Sequence, residues 1–439
     1  VTNTKLEGCI TMTTIPEYCT NHIEKSYEIA REVYSAFQIN TDEALKKLAN
    51  IPVSLHCWQG DDVKGFEHIE STSSGGIQAT GNYPGRARNA DELRQDIEKA
   101  MSLIPGKHRV NLHAIYAETQ GKTVERDSLT PEYFSRWADW AKEKGLGVDF
   151  NPTCFAHPLA DSGFTLSHQD RAIREFWIRH CIACREIGAY FGKTLGKTCV
   201  TNIWIPDGYK DIPVDRLAPR QRLKESLDEI FTANINETWN KDSVESKLFG
   251  IGSECYVVGS HEFYMGYAVQ KKKVLCLDMG HFHPTESIAD KLSAVLLYIP
   301  EVLLHISRGV RWDSDHVVIM NDDVNALMEE VVRHNLFSRV YIGLDFFDAS
   351  INRISAWVIG TRSVLRALLK ALLEPTNILK ELENHTDYSG RLMFLEETKN
   401  LPWSAVWDYY CLKNNVPVGS NGFNEIKKYE QTVLSQRNS

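Results

Sequence analysis

Long apolar runs, an excess of basic charge and regularly spaced cysteines are all scarce in this chain of 439 residues. No stretch reaches the ~18 uninterrupted apolar residues of a membrane span. The nearest candidate, LSAVLLYIPEVLLHI, is broken by Pro300 and Glu301. The opening VTNTKLEGCITMTTIPEYC lacks the apolar block of a secretory signal, so a cytoplasmic protein without membrane association is the expectation. A net charge of −9 and a pI near 6.0 argue against nucleic acids and anionic membranes as partners, because both need a basic surface to displace counterions. The dense basic run Lys271 to Lys273 leads into VLCLD and reads as a solvated turn before a strand.

The ten cysteines are scattered through apolar segments such as VSLHCW, VLCLD and DYYCLK, which fits reduced core thiols better than a disulfide framework. One CxxC, Cys181 to Cys184, lies in the helical run EFWIRHCIACREIGAYF without a second pair to complete a zinc site, and reads as one turn of helix. Hydrophobic content of 43%, charged content of 24% and 15 prolines describe an ordinary globular chain. Neither low-complexity segments nor internal repeats beyond strand–helix alternation are visible.

What is present is a series of eight short apolar or β-branched runs, each followed by polar residues. In order they are PVSLHCW (52–58), RVNLHAIYAE (109–118), GVDFNPTC (147–154), TNIWIPDG (201–208), VESKLFGI (244–251), VLCLDMGHF (274–282), VLLHISRG (302–309) and VYIGLDFFDAS (340–350). Stretches of helical period lie between them, among them 89–104, 131–145, 219–231 and 321–335. Strands alternating with helices imply right-handed crossovers and a parallel sheet, and eight units imply an α/β fold of the (β/α)8 TIM-barrel type. The expected organisation is an N-terminal segment with one or two helices (1–50), a catalytic barrel (51–364) and a helical, Trp/Tyr-rich tail (365–439) that packs on the barrel or on another subunit.

Polar residues gather at the C-terminal ends of these runs: His56, His113, Asp207, Asp278, His281, His305 and Asp345. In a barrel that rim carries the chemistry. Asp313 and Asp315 stand two apart in RWDSDHVV, and like charges at that spacing repel unless a cation lies between them. In an extended segment they would point the same way about 6.6 Å apart. With Glu245, Asp278, His281, His305 and Asp345 they make seven potential ligands. A set rich in carboxylate, with few histidines, suits Mn²⁺, Mg²⁺ or Co²⁺ better than Zn²⁺, and seven ligands suit two divalent cations sharing a carboxylate. Singly, each of these residues is as readily a helix cap or a satisfied polar group; their joint placement carries the reading.

The segments VSLHCWQGDDVKGFE, GGIQATGNYPGRARNADELRQD, NIWIPDGYKD, VESKLFGIG, GHFHPTE, RWDSDHVV and GLDFFDASINRISAWVIGT together resemble L-rhamnose isomerases. The resemblance runs from about Glu28 to near the C-terminus, which makes Met12 a candidate for the true start. It implies a barrel enzyme, a homotetramer, that interconverts L-rhamnose and L-rhamnulose with two divalent cations, usually manganese. Glu245, Asp278, His305 and Asp345 would hold a structural cation. His281, Asp313 and Asp315 would hold a catalytic one, with Asp278 a candidate bridge between the two. The implied chemistry is a metal-mediated hydride shift between carbons 2 and 1, with a metal-bound water moving the oxygen proton.

In that setting Lys247, two residues after Glu245 on one strand face, could set its ammonium against the carbonyl oxygen, the bland alternative being a surface salt bridge. His113 is a candidate for opening the sugar ring, against a structural hydrogen bond. Trp58 and Trp204 could stack on the sugar or pack in the core. Val63, Ile115 and Tyr116 resemble the family's apolar pocket for the 6-methyl group, and His56 and His283 read as supporting groups. The competing expectations are an epimerase of the same barrel type, a metal-dependent endonuclease barrel and a non-catalytic sugar-binding barrel. The first would need paired glutamate bases, the second a basic rim, and the third has no reason to keep all seven ligands.

Overall fold

The computed structural model describes residues 15–59, 63, 65–67, 81, 83–248, 253, 255–310 and 315–437. Eight parallel strands close into a barrel: β1 (Val53–His56), β2 (Arg109–His113), β3 (Gly147–Asn151), β4 (Cys199–Ile203), β5 (Asn240–Glu245), β6 (Val274–Asp278), β7 (Val302–Ile306) and β8 (Val340–Leu344). Each pairs with its neighbours in sequence, and β1 closes the ring against β8. Six of the eight expected runs contain a barrel strand, and the runs 201–208 and 244–251 overlap the ends of strands that start earlier. A two-stranded antiparallel ribbon, 208–209 with 256–257, sits outside the barrel.

The fifth strand departs most from its sequence reading. It runs Asn240–Glu245 rather than from 244 onward, because NKDSVE carries too little apolar signal to be read as buried. Its polar groups are matched by partners from elsewhere. Asp242 accepts from Arg185 Nε at 2.8 Å and from Lys273 Nζ at 2.7 Å, and Asn240 Oδ1 accepts from Thr201 Oγ1 at 2.6 Å. The register pairs β5 with β4 from Cys199↔Asn240 to Ile203↔Val244.

The connecting helices start where side-chain caps supply acceptors for the free amide groups of a first turn. Asn89 caps Ala90–Met101, Asp170 caps Arg171–Leu195, Asn321 caps Asp322–Arg333 and Asn352 caps Arg353–Leu372. The last of these helices runs across residue 364, where the sequence reading divides barrel from tail. Cys181 and Cys184 lie inside Arg171–Leu195, and the described cysteines are all free, seven of them buried.

Helices Ile23–Ala36 and Thr41–Leu48 precede the barrel, and four helices between Thr376 and Thr432 follow it. The aromatic tail packs on its own chain. Tyr409 stacks on Tyr27 with ring centroids 3.8 Å apart, and Trp407 lies beneath the guanidinium groups of Arg362 and Arg366 at 5.4 and 5.1 Å. Among the described residues no helix is long and apolar enough to cross a membrane.

Candidate metal centre and cavity at the barrel mouth

Parallel strands of a barrel all end at one rim, and four strand ends place there side chains that could hold a metal ion. Glu245 closes β5, Asp278 closes β6, His305 is the penultimate residue of β7 and Asp345 follows β8 by one residue. The register sets Asp278 beside His305, and His305 beside Gly343. One ligand atom from each of the four lies within 4.8 Å of the other three. His305 Nδ1 is 3.4 Å from Glu245 Oε1, 3.6 Å from Asp278 Oδ2 and 3.3 Å from an Asp345 oxygen.

Glu245 Oε1, Asp278 Oδ2, His305 Nδ1 and Asp345 Oδ1 are buried and have no hydrogen-bond partner. Leaving such an atom unsatisfied costs about 1–3 kcal/mol, and more when it is charged. The titration directions report the same tension. Burial disfavours charge on His305, yet Cys276, Glu245, Asp278 and Asp345 around it hold its pKa well above the usual imidazole value. Burial likewise works against Glu245, but His305 and His281 keep its carboxyl well below the ordinary range, while burial wins at Asp345 and pushes it up. One imidazolium cannot balance three carboxylates at these distances. A divalent cation would supply two positive charges to the same converging atoms.

A second group joins Asp278, His281 and Asp315. His281 Nδ1 lies 2.9 Å from the carbonyl of Ser246, which selects the tautomer with Nδ1 protonated and leaves the lone pair on Nε2 for a ligand role. Nε2 is 3.9 Å from Asp315 Oδ2 and 3.2 Å from Lys247 Nζ. Asp315 follows β7, the neighbour of β6, and is held by an antiparallel bridge between Arg308 and His316 and by the Phe347 N–H, which donates to the Asp315 carbonyl at 2.7 Å. A Cβ on Gly280 would sit 1.8 Å from Asp315 Oδ1, so only glycine lets that carboxylate approach the turn. Asp278 belongs to both groups, as a shared ligand would. Asp313 lies outside the described residues.

Beside the ligands opens a cavity of about 490 Å³. Its polar wall includes Glu245, His281, Asp345, His113, Asn151 and Asn202, and its apolar wall includes Trp58, Val63, Phe155, Trp204 and Phe347. Lys247 is no surface residue: it is buried, with Nζ 5.3 Å over the Trp204 ring. His113 is buried too. Nδ1 lies 3.0 Å from Thr153 Oγ1, Asn151 Nδ2 is 3.4 Å from Nε2, and burial, with the Arg126 charge, lowers its pKa to about 3.

Ile115 and Tyr116 are buried but are not among the described cavity-lining residues; Phe66 N donates to the Ile115 carbonyl and the Phe66 ring meets Tyr116 edge-on. His56 packs edge-on against Phe346 behind the rim, and His283 is exposed. Asp207, although at the rim, is a structural carboxylate that accepts from the backbone and hydroxyls of Thr165 and Ser167.

Sequence reasoning passed over Asn151 and Asn202. Asn202 donates to Glu245 Oε2 at 2.5 Å and so orients the other oxygen towards His305. Both asparagines sit at strand ends, and extending the strand-end rule from acids and histidines to amides would have found them. Phe155 and Phe347 had no such signal, because each lies in a loop whose path the strands do not dictate.

The sequence profile described as L-rhamnose isomerase (RhaA) matches residues 21–437. An L-rhamnose isomerase of Escherichia coli O7:K1 (strain IAI39 / ExPEC) is 60% identical over 418 residues, covering 95% of this chain and 100% of the relative. One of Yersinia pseudotuberculosis serotype IB (strain PB1/+) is 59% identical with the same coverage. Among solved structures, that of an L-ribulose 3-epimerase is similar with a TM-score of 0.46 and 10% identity, covering 73% of this chain and 95% of that one.

Proposed function

The chain belongs to the L-rhamnose isomerase family and is an aldose–ketose isomerase acting on a small sugar, and from that premise we propose how its barrel mouth interconverts L-rhamnose and L-rhamnulose. The observation that carries the reading is the set of four buried, converging and unsatisfied ligand atoms on Glu245, Asp278, His305 and Asp345. These residues fit a divalent cation. Asp278, His281 and Asp315, joined by Asp313, are the proposed holders of a second. Oxygen ligands with one imidazole in each group favour Mn²⁺, with Co²⁺ or Mg²⁺ as substitutes and Zn²⁺ less suited. Bound there, such ions supply Lewis acidity to the sugar's oxygens.

The chain's own side chains do the rest. Lys247 places an ammonium beside His281 and over Trp204, where negative charge grows on a carbonyl oxygen. His113, kept neutral by burial, offers Nε2 to the anomeric hydroxyl as a hydrogen-bond acceptor, so its part in ring opening is orientation more than basicity. Trp58, Trp204, Phe155 and Phe347 give the sugar's apolar face a dry wall. Val63 is the described residue that supports an apolar site for the 6-methyl group. The carboxylates lining the described cavity, Glu245 and Asp345, both belong to a ligand group. None is left over to take a proton from carbon 2, which favours direct transfer of that hydrogen to carbon 1.

The test is stripping with chelator, add-back of Mn²⁺ and measurement of ketose formed from L-rhamnose. Activity lost and restored in step with metal supports the assignment; ketose formed equally well in chelator refutes it. Deuterium at carbon 2 should stay in the product, whereas wash-out into water would indicate an enediol. A homotetramer and a cytoplasmic location remain part of the proposal. The exposed apolar Tyr388, Leu392 and Met393 support self-association, to be measured by light scattering.

A further inference from the structure

Asp96, on the helix Ala90–Met101, is fully buried outside the cavity, and three side chains from two distant parts of the chain converge on it. Gln59 Nε2 donates to its Oδ2 at 2.6 Å and Arg437 Nη1 to the same oxygen at 2.7 Å, while the Tyr429 hydroxyl donates to Oδ1 at 2.7 Å. Gln59 directly follows the cavity wall residue Trp58, and its Oε1 accepts from the Ala87 N–H at 2.7 Å. Tyr429 and Arg437 both belong to the segment 421–437.

That segment also reaches the loop after β8, the strand that pairs with β1. Glu430 accepts from the Tyr83 hydroxyl at 2.5 Å and from Asn352 Nδ2 at 3.2 Å. The Tyr83 N–H donates to the Ala349 carbonyl at 2.7 Å, in the loop that carries Asp345 and Phe347. Segment 421–437 also packs directly on Gly85, which has φ +86° and where a Cβ would lie 2.5 Å from Leu434 Cβ.

We propose that segment 421–437 is a strap that positions the sugar-facing wall. Arg437 and Tyr429 fix the Asp96 carboxylate, Asp96 fixes the Gln59 amide, and Gln59 holds Trp58 at the cavity. None of Gln59, Asp96, Tyr429 and Arg437 lines the cavity, so all four are positioning residues. Removing Arg437 leaves a buried carboxylate short of its cation, and the Gln59 amide is then free to shift towards it. The inference rests on the reading that the cavity beside Trp58 receives the sugar.

Steady-state kinetics of the Mn²⁺-loaded full-length enzyme on L-rhamnose test it. The variants are Gln59→Ala, Arg437→Ala, Arg437→Lys, Asp96→Asn and the double variant Gln59→Ala/Arg437→Ala. Lys99→Ala is the control, because it cuts the 2.9 Å Lys99–Glu425 pair between the same segment and helix without touching Asp96. The strap predicts that Gln59→Ala and Arg437→Ala each raise KM about 3- to 10-fold with kcat within about twofold. Arg437→Lys should restore most of the loss, and the double variant should do no worse than the larger single one, because both act through Asp96. The control should match wild type. Unchanged KM in the two single variants, or effects that multiply in the double one, would overturn the strap. Should Arg437→Ala fail to fold, Asp96→Asn carries the comparison, with Arg437→Lys expected near wild type: raised KM in Asp96→Asn with a melting temperature near wild type supports the strap, and unchanged KM in Asp96→Asn overturns it. A wild-type protein that leaves L-rhamnose untouched overturns the functional reading and this one together, whereas turnover with KM indifferent to these variants overturns the strap alone.

Discussion

Lys247 and Asp278 are the two side chains whose replacement separates chemistry from assembly most cleanly. Lys247 is buried beside His281 yet belongs to neither ligand group. Lys247→Met keeps the apolar stem and removes the ammonium, so kcat should fall about 10²- to 10³-fold with Mn²⁺ affinity little changed. Lys247→Arg should rescue little, since a planar fork does not replace a point charge in a closed site. If the lysine is structural only, kcat will stay and the melting temperature will drop. Asp278 is shared by both groups, so Asp278→Asn should weaken binding of both cations and cut activity at least about 100-fold. Binding isotherms followed by Mn²⁺ electron paramagnetic resonance check this, and loss of a single site would argue against a shared carboxylate.

At the scale of elements, the turn from Asp278 to His281 fixes how the two groups meet. Gly280 N–H donates to Asp278 Oδ1 at 2.7 Å, and the missing Cβ leaves room for Asp315. Gly280→Ala is therefore expected to displace Asp315, lowering the stoichiometry of tight Mn²⁺ from two towards one while the fold persists; an unaltered stoichiometry would count against the Asp315 assignment. Much of the candidate metal centre was legible in the sequence, because Asp278, His305 and Asp345 sit where apolar strand patterns stop, whereas Glu245 opens the expected fifth run and in fact closes a strand that starts earlier. The second group was legible only in part. His281 follows a strand closely, but Asp315 is brought in by its neighbour's bridge to Arg308 and by its own contact with Phe347, and no local pattern encodes either. The start of β5 stayed hidden for a related reason: Asn240 and Asp242 look solvent-facing until Thr201, Arg185 and Lys273 arrive to match them.

Across the whole molecule, neutral buried histidines tie stability to pH. Burial lowers the pKa of His56, His113 and His180 to about 3 and that of His108 to about 4. Unfolding restores the ordinary value near 6.5, so between these limits the unfolded chain binds more protons than the folded one. The stability these residues contribute is complete above pH 6.5 and is lost as pH falls towards 4 and then 3. Each histidine adds a slope of up to about 1.4 kcal/mol per pH unit in that window. Urea midpoints of metal-free protein at pH 7.0 and 5.0 should therefore differ clearly, in favour of pH 7.0, and equal midpoints would show that these rings stay accessible to protons in the folded state. The same architecture, a closed barrel buttressed by helices before and after it, keeps the ligand groups buried and the cavity walls in place.

The most direct check on the central claim is anomalous diffraction at the manganese edge from crystals soaked in Mn²⁺. The arrangement described here predicts two peaks at the barrel mouth, one enclosed by Glu245, Asp278, His305 and Asp345, the other beside His281 and Asp315 with Asp278 between them. Absence of peaks there, or manganese bound only at surface carboxylates elsewhere, would contradict it.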